Sequence, residues 1–403
     1  MSSRASGPEP IAAVAGGGRL GRSDRSPLGR WFWEIDKLLL LLVTILIVIG
    51  LVAVMAASPA AVRRLSGEGY SVDSLYHFYR QLMWTMIAVP TMILVSMMSK
   101  PTARRFALCG AVGFTLLLFL VPWLGVEVNG ARRWIGLGFA QFQPSEFLKP
   151  FFIVAIAWLL SLKDRDAGLP LVPLSLIITG LIALLLMQQP NLGETIIFVL
   201  VWMCLVALSG ASMRFLGLLG LAAPVGFVLA YFLYPVATSR IDAFLFSSGD
   251  TYQVDSALRT LTSGGLFGAG PGAGTRKFTL PEPHTDYIFS VIGEEFGMIA
   301  CLGVALLYFL IVARIVVRLV HEEDRFTVLA TAGLAFQFGL QALINMGVNV
   351  NILPSKGMTL PFISYGGSSM IALGIGFGLL LAFSRRNPYL HRSPYIVQWS
   401  RES

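Results

Sequence analysis

Apolar runs of about 20 residues recur along this chain, each long enough to cross a hydrocarbon core roughly 30 Å thick. The pattern predicts ten helices, at about 37–58, 80–99, 105–124, 144–162, 170–188, 194–209, 213–235, 287–312, 327–349 and 366–384. Polar positions gather between these runs, and they gather unequally. Alternate connections are short, whereas segments 125–143, 236–286 and 350–365 hold most of the unusual polar residues. The connection before the eighth run, 236–286, is about fifty residues long, a length that marks a functional or a disordered loop.

Composition fixes the class. With 55% hydrophobic and 13% charged residues in 403, the chain lies outside the soluble range, so an all-α polytopic membrane protein is expected. Three cysteines, Cys109, Cys204 and Cys301, sit inside apolar runs and form no metal or redox pattern. The first 35 residues, rich in Gly, Ser, Pro and Arg, read as a disordered cytoplasmic tail; 36–386 is the membrane domain and 387–403 a second cytoplasmic tail. No cleavable signal peptide is evident, and Trp31, Phe32 and Trp33 suit a membrane interface.

Charge then orients the bundle. Lys100, Arg104, Arg105, Lys163, Arg165, Arg314, Arg318, Arg325, Arg385 and Arg386 border the short connections, which places these and both termini in the cytoplasm. The net charge of +8 requires no nucleic acid, since anionic lipid accounts for it. Arg132, Arg133, Arg276, Lys277 and Lys356 lie on the outer side, against that rule, and an anionic ligand there is the simplest cause.

The stretch 281–289, Pro-Glu-Pro-His-Thr-Asp-Tyr-Ile-Phe, is the first candidate for chemistry. Ionisable groups next to lipid are costly and are kept where they face a cavity or a reaction. Asp286 could merely cap the following helix, or it could face a cavity on a stripe with Ser290, Gly293 and Gly297. Glu282 and His284 add titratable neighbours that a cap does not require. Glu146 and Lys149, spaced i,i+3, can form an internal pair or touch substrate, and Glu194, Asn345 and Asn349 can join helices as polar contacts. The glycine-rich run 264–274 lacks the Gly-Lys-Ser/Thr of a phosphate loop and reads as a flexible surface loop. No metal-ligand spacing and no Gly-x-Ser-x-Gly nucleophile occurs.

Several motifs together carry a name. Asn129-Gly-Ala-Arg-Arg-Trp-Ile135, Gln143-Pro-Ser-Glu146, Gln189-Pro190, the 281–289 stretch, Asn345, Leu353-Pro-Ser-Lys-Gly357 and Leu360-Pro-Phe-Ile-Ser-Tyr-Gly-Gly-Ser-Ser369 resemble the SEDS family of bacterial cell-wall proteins. Lys356-Gly357 and the polar N-terminal tail look more like its division branch than its elongation branch. The resemblance implies a ten-helix peptidoglycan glycosyltransferase at the division septum of the inner membrane, with a large extracytoplasmic loop between helices 7 and 8. It implies lipid II as substrate, a class B penicillin-binding transpeptidase as partner, and other divisome membrane proteins beside them. The family's essential acidic residue falls on Asp286 and its functional tryptophan on Trp134; Asn191 and Asn351 depart from the usual pattern.

On that basis Asp286 is expected as general base for a sugar hydroxyl. Arg133, Lys277 and Lys356 are expected to stabilise the leaving diphosphate, with Trp134 on a sugar or lipid and Glu282, His284 and Ser364 also contacting substrate. No cofactor is required by the residues; a divalent cation, Mg or Mn, at the diphosphate is compatible with them. A lipid II flippase and a divisome scaffold are the rival readings.

Overall fold

The computed structural model describes residues 27–63, 72–128, 131–137, 140–164, 168–246, 252–355 and 357–385. The N-terminal tail before Pro27, the C-terminal tail, Asn129 and Lys356 lie outside the described residues. The chain divides into two units, one made of its two ends and one running from Asp36 to Arg385. In the first, α1 (Pro27–Glu34) sets Phe32 edge-on to Trp33 at 5.6 Å.

The second unit is a helical bundle. Its elements are α2 (Lys37–Arg63), α3 (Tyr76–Ser96), α4 (Lys100–Leu124), α5 (Pro144–Ser161), α6 (Leu171–Gln188), α7 (Leu192–Leu208), α8 (Met213–Leu233), α9 (Pro235–Phe246), α10 (Tyr252–Ser263), α11 (Ile288–Leu319), α12 (Arg325–Asn349) and α13 (Gly367–Ser384). Among the described residues nine of these are long and apolar enough to span a membrane, and α7, at 17 residues, is a shorter apolar helix. Each of the ten expected spans falls on one of these ten helices. Helix starts follow local chemistry: Asp36, Ser99, Ser212 and Asp324 each accept a backbone N–H from the first turn that follows them.

The connection between α4 and α5, expected as an outer loop, carries strands within the otherwise helical fold. β1 (Val126–Val128), β2 (Ala131–Leu137) and β3 (Ala140–Phe142) form a small antiparallel sheet in that order. Trp134 stands opposite Val126, and Ile135 opposite Phe142. Alternating side chains put Arg133 and Trp134 on opposite faces of β2.

The core is built on α5, α12 and α13, whose side chains are the most enclosed, while α4 and α6 turn much of their surface outward. No described side chain of α8 is buried, and its main neighbour is α9. Segment 360–366, expected as loop, runs inside the bundle with Leu360, Phe362, Ile363 and Ser364 buried. Tyr308 Oη donates to the Pro361 carbonyl at 2.5 Å, and Gln81 donates to the Ser364 carbonyl at 3.3 Å. Its close approach to α2 is possible because residue 50 is glycine; a Cβ there would stand 2.4 Å from the Phe362 carbonyl oxygen. At the opposite end, buried Asp36 takes Arg314 at 2.9 Å and Arg318 at 2.7 Å, and Arg318 also reaches the Ser384 carbonyl, joining α2, α11 and α13.

Candidate active site

Asp286 lies in a tight turn just before α11. Three successive carbonyls of that turn are held by other elements. Tyr365 N–H donates to His284 O at 2.8 Å and Ser364 Oγ donates to Thr285 O at 2.6 Å. Asn345 and Asn349 Nδ2, from α12, donate to Asp286 O at 2.8 and 3.0 Å. A backbone fixed at three consecutive residues leaves its side chain few directions, the preorganisation a catalytic group requires. The helix begins at Tyr287 with no side-chain cap, so Asp286 is not a capping residue. The stripe expected below it is not open either: Ser290 bonds Asn349 Oδ1, Gly293 abuts Leu261, and Gly297 leaves the helical geometry altogether.

The carboxyl of Asp286 is pushed up to about 7, first by burial, then by the charge of Glu282, with Arg240 acting against them. Its Oδ2 lies 3.2 Å from where a Cβ at position 357 would stand, so Gly357 keeps that approach clear. Glu282 is exposed, in a left-handed conformation with φ 47°, and accepts Thr285 Oγ1 at 3.1 Å. Arg240, on α9, donates to the Ser355 carbonyl at 3.2 Å, and its charge reaches both Asp286 and Arg133. Sequence reasoning passed over Arg240. The signal was present, because it is another cation against the topology rule, in the same long connection as Asp286.

Arg133 is half-buried on β2 and grips the turn after α6, with Nε donating to Gln189 O at 2.9 Å and Nη2 to Pro190 O at 2.5 Å. Burial lowers its pKa and the Glu194 carboxylate opposes this. Beyond Glu194 the charges continue into the bundle. Lys149 Nζ pairs with Glu146 at 2.8 Å and approaches Glu194 at 3.9 Å, and Gln143 donates to Glu194 at 3.1 Å. The i,i+3 pair is therefore an internal one, with a third group added from α7. Trp134 is partly exposed on β2.

Four expected substrate contacts are corrected or left aside. Lys277 is 2% exposed; its ammonium pairs with Glu295 and donates to Ala56 O, so it cannot reach a diphosphate. His284 is buried with its ring 4.0 Å from that of His77, and burial lowers its pKa to about 4, so it is neutral and turned inward. Ser364 is buried and spends its hydroxyl on the turn, accepting Leu360 N–H at 2.7 Å while it donates to Thr285. Lys356 lies outside the described residues.

The glycine-rich run is likewise no free loop. Its backbone enters the break in α11: Ala269 N–H donates to Glu294 O at 2.8 Å, and Met298 N–H donates to Gly265 O at 3.0 Å. Gly297, at φ 84°, forms that break, and a Cβ there would lie 2.3 Å from the Leu266 carbonyl. Glu294 accepts the backbone N–H groups of Arg276 and Lys277 at 2.6 and 2.8 Å, and Glu295 accepts Gly272 N–H. The two carboxylates bind the loop to the helix. Among the described residues no three His, Cys, Asp or Glu side chains converge as metal ligands.

Residues 36–389 match the FtsW, RodA and SpoVE family of cell cycle proteins. This chain belongs to that family. A protein of Caulobacter vibrioides, named a probable peptidoglycan glycosyltransferase FtsW, is 36% identical over 369 residues, covering 91% of this chain and 93% of the relative. The fold superposes with a TM-score of 0.71 on a chain of a peptidoglycan synthase complex that coordinates polymerization and crosslinking, at 29% identity, covering 87% of this chain and 97% of that one. The crystal structure of the Thermus thermophilus rod shape determining protein RodA gives a TM-score of 0.65 at 29% identity, covering 87% and 96%. The family is the SEDS family, and this member is most like FtsW.

Proposed function

We propose that this chain is the peptidoglycan glycosyltransferase of the division machinery, polymerising lipid II into β-1,4 glycan with Asp286 as general base. The carrying observation is a carboxyl poised at about 7, held through its own backbone and reached by the charge of Arg240, which in turn reaches Arg133. A general base works best when its pKa is near the operating pH. The 4-hydroxyl oxygen of the acceptor sugar attacks the anomeric carbon of the donor and a C–O bond forms. Its proton passes to a carboxylate oxygen of Asp286, and the anomeric carbon–oxygen bond to the diphosphate breaks with its electron pair leaving on that diphosphate. Arg240 and the free edge of the Arg133 guanidinium supply fixed positive charge where negative charge develops. Arg240 takes the place that sequence reasoning gave to Lys277. Trp134, across the sheet from Arg133, offers a stacking face for a sugar or an anchor to lipid.

Magnesium is commonly held by one or two carboxylates plus substrate phosphates, and Glu282 beside Asp286 fits that donor set; such an ion would neutralise the leaving diphosphate. In this reading both termini lie in the cytoplasm and Asp286 and the 236–286 segment outside, with 36–386 as the membrane unit, working at the septum. A class B penicillin-binding transpeptidase is the expected partner, in line with the complex that supplies one structural relative.

The test is polymerisation of lipid II by the purified chain with its transpeptidase partner. Asp286→Asn keeps size and removes basicity, and a loss of about 10²- to 10⁴-fold is expected. A near wild-type rate would end the general-base role. A flippase reading has one observation in its favour, the Arg133–Glu194–Lys149–Glu146 series that carries charge from the site into the bundle. Labelled lipid II crossing liposomes without glycan formation would support it instead.

A further inference from the structure

Where α4 begins, α5 ends and α12 begins, a cavity of about 250 Å³ opens that plays no part in the proposed chemistry. Arg104, Trp158, Ser161, Glu323 and Phe326 are among its walls. Drug-sized sites start near ~300 Å³, so this one is sized for a small polar group. Most charges around it are already engaged. Lys100 pairs with Glu322 at 3.7 Å, and Lys163 donates to the Gly210 carbonyl at 2.9 Å. Arg325 donates to the Ser209 carbonyl at 2.5 Å, and Asp324 accepts the Thr327 N–H at 3.1 Å. Three groups in the wall are not engaged. The Arg104 guanidinium lies 5.7 Å over the Phe326 ring and meets no carboxylate or carbonyl among the described residues. Among those residues the Glu323 carboxylate meets no cation and the Trp158 indole N–H no acceptor. The Ser161 hydroxyl donates to the Trp158 carbonyl at 2.7 Å, which leaves its oxygen able to accept.

We infer that this cavity binds the headgroup of an aminophospholipid, a phosphate joined to a primary ammonium. Its depth fits. Trp158 lies one turn, about 4.5 Å, before Ser161 at the end of α5, and tryptophan favours the level of lipid headgroups. The charge balance fits as well. Arg104 and Arg325 offset Glu323 and Asp324, so the lining carries no net charge, which disfavours a polyanion such as a nucleotide and suits a zwitterion. The Arg104 guanidinium and the Trp158 N–H donate to the phosphate oxygens. The Glu323 carboxylate and the Ser161 oxygen accept N–H groups of the ammonium. Choline carries no N–H for those acceptors, and a glycerol headgroup brings no positive charge to Glu323. A lipid held there joins α4 to the core helices α5 and α12, whether or not the chain is a polymerase.

The test uses the full chain in detergent and needs no turnover. The protein is mixed with equal amounts of phosphatidylethanolamine, phosphatidylcholine and phosphatidylglycerol, and retained lipid is read by native mass spectrometry. Wild type should retain phosphatidylethanolamine over each of the others by roughly tenfold, the factor that one charge-assisted hydrogen bond supplies. Glu323→Gln should erase that preference, while Arg104→Gln and Trp158→Phe should lower retention of all three lipids. Glu323 is exposed and has no described partner to lose, so Glu323→Gln keeps the fold. Phosphatidylethanolamine should also raise the unfolding temperature of wild type and leave that of Glu323→Gln unmoved. Equal retention of phosphatidylethanolamine and phosphatidylcholine, a preference for phosphatidylglycerol, or a preference unchanged in Glu323→Gln overturns the assignment. Soluble phosphoethanolamine that displaces the lipid at equal concentration would give the cavity to a free aminoalkyl phosphate and overturn the lipid source.

Discussion

At Asp286 burial and the Glu282 charge raise the carboxyl, and only Arg240 opposes them. The sign of the consequence differs for activity and stability. The base form is needed for proton uptake, so polymerisation should rise with pH through about 7, and an initial-rate profile from pH 6 to 8 checks it. The folded chain holds this proton to about 7, the unfolded chain releases it near 3.8. Between those values folding binds the extra proton, so Asp286 makes stability fall as pH rises through the window. Asp286→Asn should therefore unfold at a higher temperature than wild type at pH 8 and show no gain at pH 4, the reverse of what a structural aspartate would give. Arg240→Ala should reduce kcat by about 10²- to 10³-fold, with partial recovery in Arg240→Lys, because it removes fixed charge from the developing diphosphate. The buried Lys277–Glu295 pair predicts something else. Lys277→Met alone should cost about 3–5 kcal/mol by leaving Glu295 unpaired, and Lys277→Met with Glu295→Leu should recover most of it. Thermal unfolding in detergent separates the two.

The element that decides the site is a broken helix. Gly297 splits α11, and the glycine-rich segment fills the break with its own backbone, satisfying N–H and C=O groups that lipid could not. Gly297→Ala should be destabilising both by its φ of 84° and by contact with the Leu266 carbonyl, and should release the segment to protease while Ala269→Ser should not. α12 supplies the second constraint. Asn345 and Asn349 are one helical turn apart, which lets both amides meet a single carbonyl, that of Asp286. Their i,i+4 spacing was visible in the sequence, but its target was not, since a pair of amides on a helix can serve any neighbour.

Across the described residues the bundle is closed at α5, α12 and α13 and loose at α8, none of whose described side chains is buried. The long connection was expected as loop, yet it contributes α9, α10 and a docked turn. The proposed orientation has a direct test. In a variant lacking Cys109, Cys204 and Cys301, a cysteine at exposed Leu266 should be labelled by an impermeant maleimide in intact cells, and one at exposed Val320 only after lysis. The opposite pattern would place Asp286 in the cytoplasm, where the proposed polymerisation could not occur.

Ten apolar runs, the family motifs and Asp286 were all legible in the sequence, because hydropathy and local spacing are properties of the chain itself. The roles of the remaining polar residues were not. Lys277, His284 and Ser364 share their polarity with true site residues, and a sequence does not state whether a lysine meets a phosphate or a buried glutamate. Only the tertiary structure brought Arg240 to Asp286 across 46 positions, seated the glycine run in the gap at Gly297, and sent segment 360–366 into the core. Those outcomes depend on contacts distant in sequence, where the cost of burying a charge is settled by whichever partner the fold delivers.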